Sequence, residues 1–406
     1  MTQRIISLIV VCITLSIPSI AQKELKVLRA FVKAKNTSEA MKEVSRLEND
    51  SACQHLLKVY ELALKTQIQI NDVENEKVYL KKACDTVKLF ESTRQIFFYI
   101  HKIDSLERLQ KEAAGKDYKL DKSTEKLIER YYGNFVAGTR YFYARQKYKE
   151  AQRNLDLLLT LNEGHLIDDD LKDEKSKDVA MNAYMFTYCA FQNGDYAALE
   201  RYKSLLFADE RYYQTTLEMY ARVANDLGHD EAFETYLEKG AADFPLHAYF
   251  FDELASLYVA DERFAQCVDL ADHVLAADSM SLKAMYLKAH ALYHKDEQAA
   301  CIEISKRLVD ADAQHTYPEA NFYAGQFIMN KLETIYVPTR IGSKNFVMAK
   351  NEMKKVCSEA RPYLERYRKL CPSQREKWAP LLYKVYLELN MGPEFEDICR
   401  YMWFWI

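Results

Sequence analysis

The stretch FDELASLYVADERFAQCVDLADHV, residues 251–274, decides the fold. Phe251, Leu254, Ala255 and Tyr258 fall at the spacing of one helix face, and Phe264, Cys267, Ala271 and Val274 do so on a second. These positions echo along the chain. Ala221, Ala255 and Ala289 stand 34 residues apart, as do Phe233, Cys267 and Cys301, and as do Leu206, Gly240, Val274 and Leu308. A fixed period near 34 with small and aromatic residues in register predicts an α-solenoid of antiparallel helix pairs.

Composition agrees. The 406 residues are 49% hydrophobic, ample for a core, yet contain only 10 Gly and 8 Pro. Turn-dense β architectures need more of both, so an all-α chain is expected. The 56 Lys and Arg nearly balance the 60 Asp and Glu. That balance gives no reason to expect nucleic acid, which calls for a basic stripe.

The N-terminus reads as a leader. Arg4 precedes an apolar run from Ile5 to Ile17, Pro18 breaks it, and Ser19-Ile20-Ala21 places small residues before Gln22. This is the pattern of a secretory signal peptide, residues 1–21, cleaved after Ala21. The run is short for a membrane span, and no later stretch of the mature chain looks transmembrane. Cys12 follows Val11, a poor context for lipid attachment. The other cysteines lie mostly inside apolar helical patterns with no C-x-x-C, so they read as buried small hydrophobes. A bridge among Cys357, Cys371 and Cys399 stays open.

Residues 22–131 read as helices of degenerate repeat. Asn36-Thr37-Ser38 before Glu39 starts one of them. Further helices are expected over Ser51–Ile70, over Val73–Phe90 with Val78, Ala83, Val87 and Phe90 inward, and over Thr93–Leu109. A clearer array occupies 132–315. Its first pair carries Gly138, Thr139 and Phe142, then Tyr148, Ala151, Leu155 and Leu158. An acidic insertion near 162–178 follows, with Asp168-Asp169-Asp170 and Asp173-Glu174. It lacks the order of a calcium loop and reads as a solvated connector. The next pair carries Phe186, Gly194-Asp195-Tyr196 and Leu199. Residues 316–406 are expected as distorted repeats. A first helix holds Asn321–Ile328, a loop projects near 334–346, a partner helix spans Glu352–Leu370, and a last pair turns at Gly392-Pro393. The terminal Tyr401–Ile406, with two tryptophans, reads as an aromatic end-cap or a docking site.

The aromatic–x–x–Leu–small–x–x–Tyr first helix, Gly-Asp-Tyr at a turn, and Pro245 after a second helix resemble the tetratricopeptide repeat (TPR). The C-terminal arrangement is similar to that of exported repeat proteins of Gram-negative bacteria. The resemblance implies a right-handed superhelix whose first helices line a binding groove. Carried onto this chain, that register implies groove positions at Arg140, Tyr143, Tyr184, Tyr188, Phe191, Glu218, Arg222, Asn225, Asp252, Tyr286, His290, Tyr293 and His294. Singly, each tyrosine also suits packing between helices. As a set they describe an aromatic face of mixed charge, fit for a peptide or protein and also for sugar rings. The Lys and Asn clamp that some members use for a C-terminal carboxylate is absent, because its places hold Val136, Arg140, Tyr184, Tyr188, Glu218 and Arg222.

His290 and His294 stand four apart, a spacing that can hold zinc, but no third ligand can be named. No phosphate loop, nucleophile elbow or dinucleotide fingerprint occurs. The expectation is therefore a non-enzymatic scaffold without metal or cofactor. It binds a protein or peptide partner, is exported, and lies in the periplasm or against the cell envelope. Glycan binding in nutrient capture is the alternative.

Overall fold

The structure is a computed structural model describing residues 19–51, 53–164, 166–172 and 177–402. Most of the leader, Asp173 and Glu174 of the acidic run, and the tail from Trp403 lie outside the described residues. Among the described residues the fold is all-α, without strands.

Packing divides the chain into two units, residues 1–219 and 220–406. The first contains α1 (Ser19–Lys33), α2 (Thr37–Glu48), α3 (Leu57–Tyr79), α4 (Thr86–Ala113), α5 (Lys122–Ala144), α6 (Tyr148–Glu163), α7 (Val179–Asn193), α8 (Tyr196–Leu199) and α9 (Lys203–Ala208). The division falls inside α10 (Tyr213–Asp226). The second continues with α11 (Asp230–Asp243), α12 (Ala248–Ala260), α13 (Phe264–Ala277), α14 (Leu282–His294), α15 (Gln298–Ala311), α16 (Glu319–Asn330), α17 (Lys344–Leu370), α18 (Arg375–Glu388) and α19 (Gly392–Met402). Within each unit a helix packs chiefly on its neighbours in sequence, the architecture of an α-solenoid.

The 34-residue echo is also written in the backbone. Gly194 and Gly228 (both φ 68°), Glu262 (φ 55°) and Asp296 (φ 54°) are left-handed and stand 34 apart. In each case the next amide closes back on a carbonyl of the preceding helix: Asp195 on Ala190, His229 on Ala224, Arg263 on Tyr258 and Glu297 on Leu292, at 2.8–3.0 Å. This is the Schellman closure, which satisfies carbonyls at a helix end while reversing the chain. The same closure ends α5, where Gln146 (φ 55°) precedes Lys147 bonded to Phe142.

Small residues set how closely paired helices approach. The echo positions Ala221, Ala289, Cys267 and Cys301 are all fully buried. Gly325 of α16 faces Leu364 of α17 so closely that an added Cβ would lie 2.6 Å from Leu364 Cδ2. In the first unit the core runs through Val44, Ile96, Phe97, Ile100, Tyr131 and Phe135. In the second it runs through Leu292, Leu308, Phe327, Leu364, Trp378 and Leu382. All eight described cysteines are free thiols, so Cys357, Cys371 and Cys399 form no bridge with one another. Burial pushes Cys301 and Cys357 up to about 11, away from reactive thiolate.

Several expected elements are corrected. The helix expected over Val73–Phe90 is two helix ends and a turn. Val78 (47% exposed) and Val87 (37%) consequently face solvent. The break has a polar cause. Lys81 is left-handed (φ 54°), Asp85 caps α4 by accepting from Lys88 N at 3.0 Å, and the Asp85 amide donates to the buried Glu74 at 2.9 Å. Beside it, buried Asn71 reaches Ser92 Oγ at 3.0 Å and Thr93 Oγ1 at 2.8 Å, tying α3 to α4. The helix expected from Ser51 begins only at Leu57. The second helix of the Phe186 pair is interrupted. A 3-10 turn at Glu200–Tyr202 separates α8 from α9 where Tyr202 turns its ring edge-on to Phe186, 5.5 Å away. The partner helix expected from Glu352 starts at Lys344, under a Ser343 cap.

Two substitutions test the turn account. Gly228→Ala places a Cβ where φ is positive and should cost about 1 kcal/mol of stability in urea unfolding. Glu262→Gly, at the same place in the next pair, should cost nothing or gain up to about 1 kcal/mol. Equal losses from both would refute a backbone origin for the echo.

Candidate functional site

Each unit carries its own cluster of aromatic residues on first helices. In the first unit the cluster centres on α7. Tyr184 and Tyr188 are four apart, so they share a face, and their rings stack at 6.3 Å. Tyr143 of α5 and Tyr148 at the start of α6 approach Tyr188 at 6.2 and 5.9 Å. Tyr184 stacks on Tyr212, just before α10, at 4.5 Å and 15°. The Arg211 guanidinium lies 5.1 Å from the Tyr212 ring centre. It also grips Asp178 through two bonds (2.6 and 3.1 Å) and Asp209 (2.7 Å), anchoring the cap of α7 to the turn that presents Tyr212. These contacts hold both aspartates below the usual carboxylate range. Arg140, Phe191 and Glu218 are half-buried. Burial raises the Tyr143 phenol well above its ordinary value, so it stays a neutral hydrogen-bonding group.

In the second unit the same register builds a second cluster on α14. Tyr286 stacks on Tyr317, just before α16, at 4.7 Å and 22°. Tyr184 and Tyr286 each lie ten residues before a left-handed turn residue, Gly194 and Asp296, so equivalent places make equivalent stacks. His290 contacts His294 at 4.5 Å, and its Nδ1 is 3.0 Å from the Tyr323 hydroxyl. His294 lies flat on Phe264 at 4.8 Å and 8°. Tyr293 stacks on Tyr323 at 4.4 Å and donates to Gln326 at 2.8 Å. It therefore wedges α14 against α16. Elsewhere in this unit Arg222 sits 4.1 Å over the Tyr249 ring, and Asp252 pairs with Lys283 at 2.6 Å. Asn225 is exposed at the end of α10.

The structure thus brings Tyr143, Tyr184 and Tyr188 together in one unit, and Tyr286, His290, Tyr293 and His294 together in the other. Sequence reasoning missed Tyr212, Arg211, Tyr317 and Tyr323. Tyr212 and Tyr317 lie in turns, outside the helical register that located the rest. A tyrosine immediately before a first helix is the signal that would have found them. Among the described residues no group of three His, Cys, Asp or Glu gathers to hold a metal ion, and no helix is long and apolar enough to cross a membrane.

No protein-family model matches the chain, and no curated protein matches it. Among solved structures, one of Naa15/Naa10 bound to HypK-THB is similar at 12% identity and a TM-score of 0.35, over 94% of this chain and 63% of that one. This chain therefore spans less than two thirds of that relative. The TPR domain of P58(IPK) is similar at 10% identity and a TM-score of 0.26, over 95% and 98% of the two chains. A circular tandem repeat protein with novel repeat topology is similar at 10% identity and a TM-score of 0.20, over 98% and 96%. The helix pairing described above rests on this chain's own packing, not on these likenesses.

Burial and the neighbouring His294 lower His290 below its ordinary 6.5. The unfolded chain therefore binds a proton at His290 more readily than the folded one, so this site loses stability as pH falls below 6.5. Urea unfolding of the native chain and of His290→Gln, compared between about pH 7.5 and about pH 5, should show a shallower decline in the variant. An identical decline would place the pH sensitivity elsewhere.

Proposed function

We propose that this chain is a non-enzymatic scaffold that binds an extended peptide or protein segment on its first-helix aromatic clusters. The observation that carries this reading is the recurrence of the Tyr184–Tyr212 stack as the Tyr286–Tyr317 stack. Half-buried tyrosines held in stacks offer wide contact area with little side-chain entropy left to lose, and hydroxyls for the partner's backbone. The charged residues elsewhere on the first helices, such as Arg222 on Tyr249 and Asp252 with Lys283, add selectivity more than affinity.

The apolar run from Ile5 to Ile17 and Ser19-Ile20-Ala21 supports export, with residues 1–21 removed, and function in the periplasm or at the envelope. The TPR resemblance supports the first helices as the binding face.

Photo-cross-linking in cells, followed by recovery of the partner, tests the reading. Tyr188→Ala and Tyr286→Ala should each weaken recovery at least about tenfold, as loss of aromatic anchors does. Leu246→Ala, at an exposed residue outside the groove register, should leave it unchanged. Unaltered recovery from both tyrosine variants would sink the assignment. Signal-peptide cleavage is checked by N-terminal sequencing of the mature chain, expected to begin at Gln22.

A further inference from the structure

After α16 a 3-10 turn, Lys331–Thr334, leads into a segment, residues 335–348, that reads IYVPTRIGSKNFVM. Tyr336 is 80% exposed, Ile341 82%, Met348 60% and Val347 47%. Single exposed apolar side chains are ordinary on a protein surface, but several on one projection mark an interaction site.

This projection is built. Ser343 N donates to Arg340 O at 3.2 Å, and Gly342 between them has φ 78°. That is a β-turn with glycine at its third place, which sets Ile341 at the apex. Ser343 Oγ then accepts from Phe346 N at 3.2 Å and starts α17, which carries Val347 and Met348. A turn and a helix cap therefore hold the apolar side chains outward.

Within the projection itself the charge has one sign, with exposed Glu333 and Glu352 standing just beyond its two ends. Between Thr334 and Asn351 the charged residues are Arg340, Lys344 and Lys350, with no acid. Lys350 is turned to Glu388 at 2.9 Å, while Arg340 and Lys344 are exposed on either side of Ile341. An apolar apex, an exposed tyrosine and flanking cations match the depth profile of a bilayer surface. There apolar groups enter the acyl boundary, aromatic rings sit among headgroups, and cations meet phosphates. Protein interfaces, in contrast, are depleted in lysine.

We propose that residues 336–348 form a docking surface for an anionic phospholipid bilayer. This does not rest on the peptide-binding reading, because the segment lies outside both aromatic clusters.

The test is co-sedimentation of the chain from Gln22 onward with vesicles of phosphatidylcholine alone, and with vesicles of equal parts phosphatidylcholine and phosphatidylglycerol. The native chain should favour the mixed vesicles. Arg340→Ala with Lys344→Ala should lower partition onto mixed vesicles about thirtyfold and leave phosphatidylcholine unaffected. Ile341→Asp should lower binding to both. Leu246→Asp removes an apolar side chain that is 63% exposed outside the segment, and should change neither. All forms begin at Gln22 and share the terminal aromatic residues, so differences among them report the loop. Circular dichroism at the native helical level confirms that each is folded. Equal binding by the native chain and the loop variants would overturn the proposal. So would a loss with Leu246→Asp as large as with Ile341→Asp, or loop variants that bind vesicles normally but lose a protein cross-link.

Discussion

Two helices lie side by side only if the chain between them reverses without leaving carbonyls bare. Here that reversal rests on one left-handed residue and the amide that follows it. Gly194 and Gly228 adopt the conformation freely, whereas Glu262 and Asp296 adopt it against the preference of an L side chain. The strain is tolerated because the next amide recovers a carbonyl at each turn, as at Arg263 to Tyr258 (2.8 Å). Fixing the turn fixes the rotation of the preceding helix, and therefore which residues face its neighbour. The shared place of Tyr184 and Tyr286, ten residues before the turn, follows from this, as do their stacks on Tyr212 and Tyr317.

The second constraint is volume between the paired helices. Ala289 and Cys301 are fully buried where the paired helices meet, in an interior packed to crystal-like density. Gly240 of α11 is the extreme case, since an added Cβ would lie 2.3 Å from Phe250 Cδ1 of α12, and Gly325 against Leu364 is next at 2.6 Å. This accounts for the recurrence of cysteine without any redox role. Cys189, buried in the first unit, is pushed up to about 12, and Cys301 to about 11. A neutral thiol there behaves as a small hydrophobe.

What the sequence revealed follows from which constraints recur. Core positions such as Phe233, Cys267 and Val274 repeat with the helical pairs, so their period is legible and so is the all-α class. Interruptions were illegible where their cause is a particular contact. The break before α4 depends on Glu74 receiving the Asp85 amide, a pairing between residues eleven apart that no helical period encodes. The bend at Tyr202 depends on Phe186 from another helix. The aromatic clusters were half legible for the same reason. Their helical members follow the register, whereas Tyr212 and Tyr317 belong to turns and reveal their place only when the stack is seen.

The two kinds of surface proposed here make opposite use of apolar groups. In the aromatic clusters the rings already touch one another. Tyr184 is flanked by Tyr188 and Tyr212, so much of its area is satisfied before any partner arrives, and a partner gains by extending a rigid stack. Ile341 has no such company. It is held out by the turn at Gly342 at 82% exposure, and its unfavourable hydration is relieved only on transfer to an apolar phase. Preorganised aromatic stacks favour selective recognition of one shaped segment. A projecting aliphatic apex between two cations favours adhesion to any surface with an apolar interior and an anionic rim. A chain with both could hold a specific partner while resting on a membrane, and the structural division of labour lies in how much of each apolar side chain the protein itself has already covered.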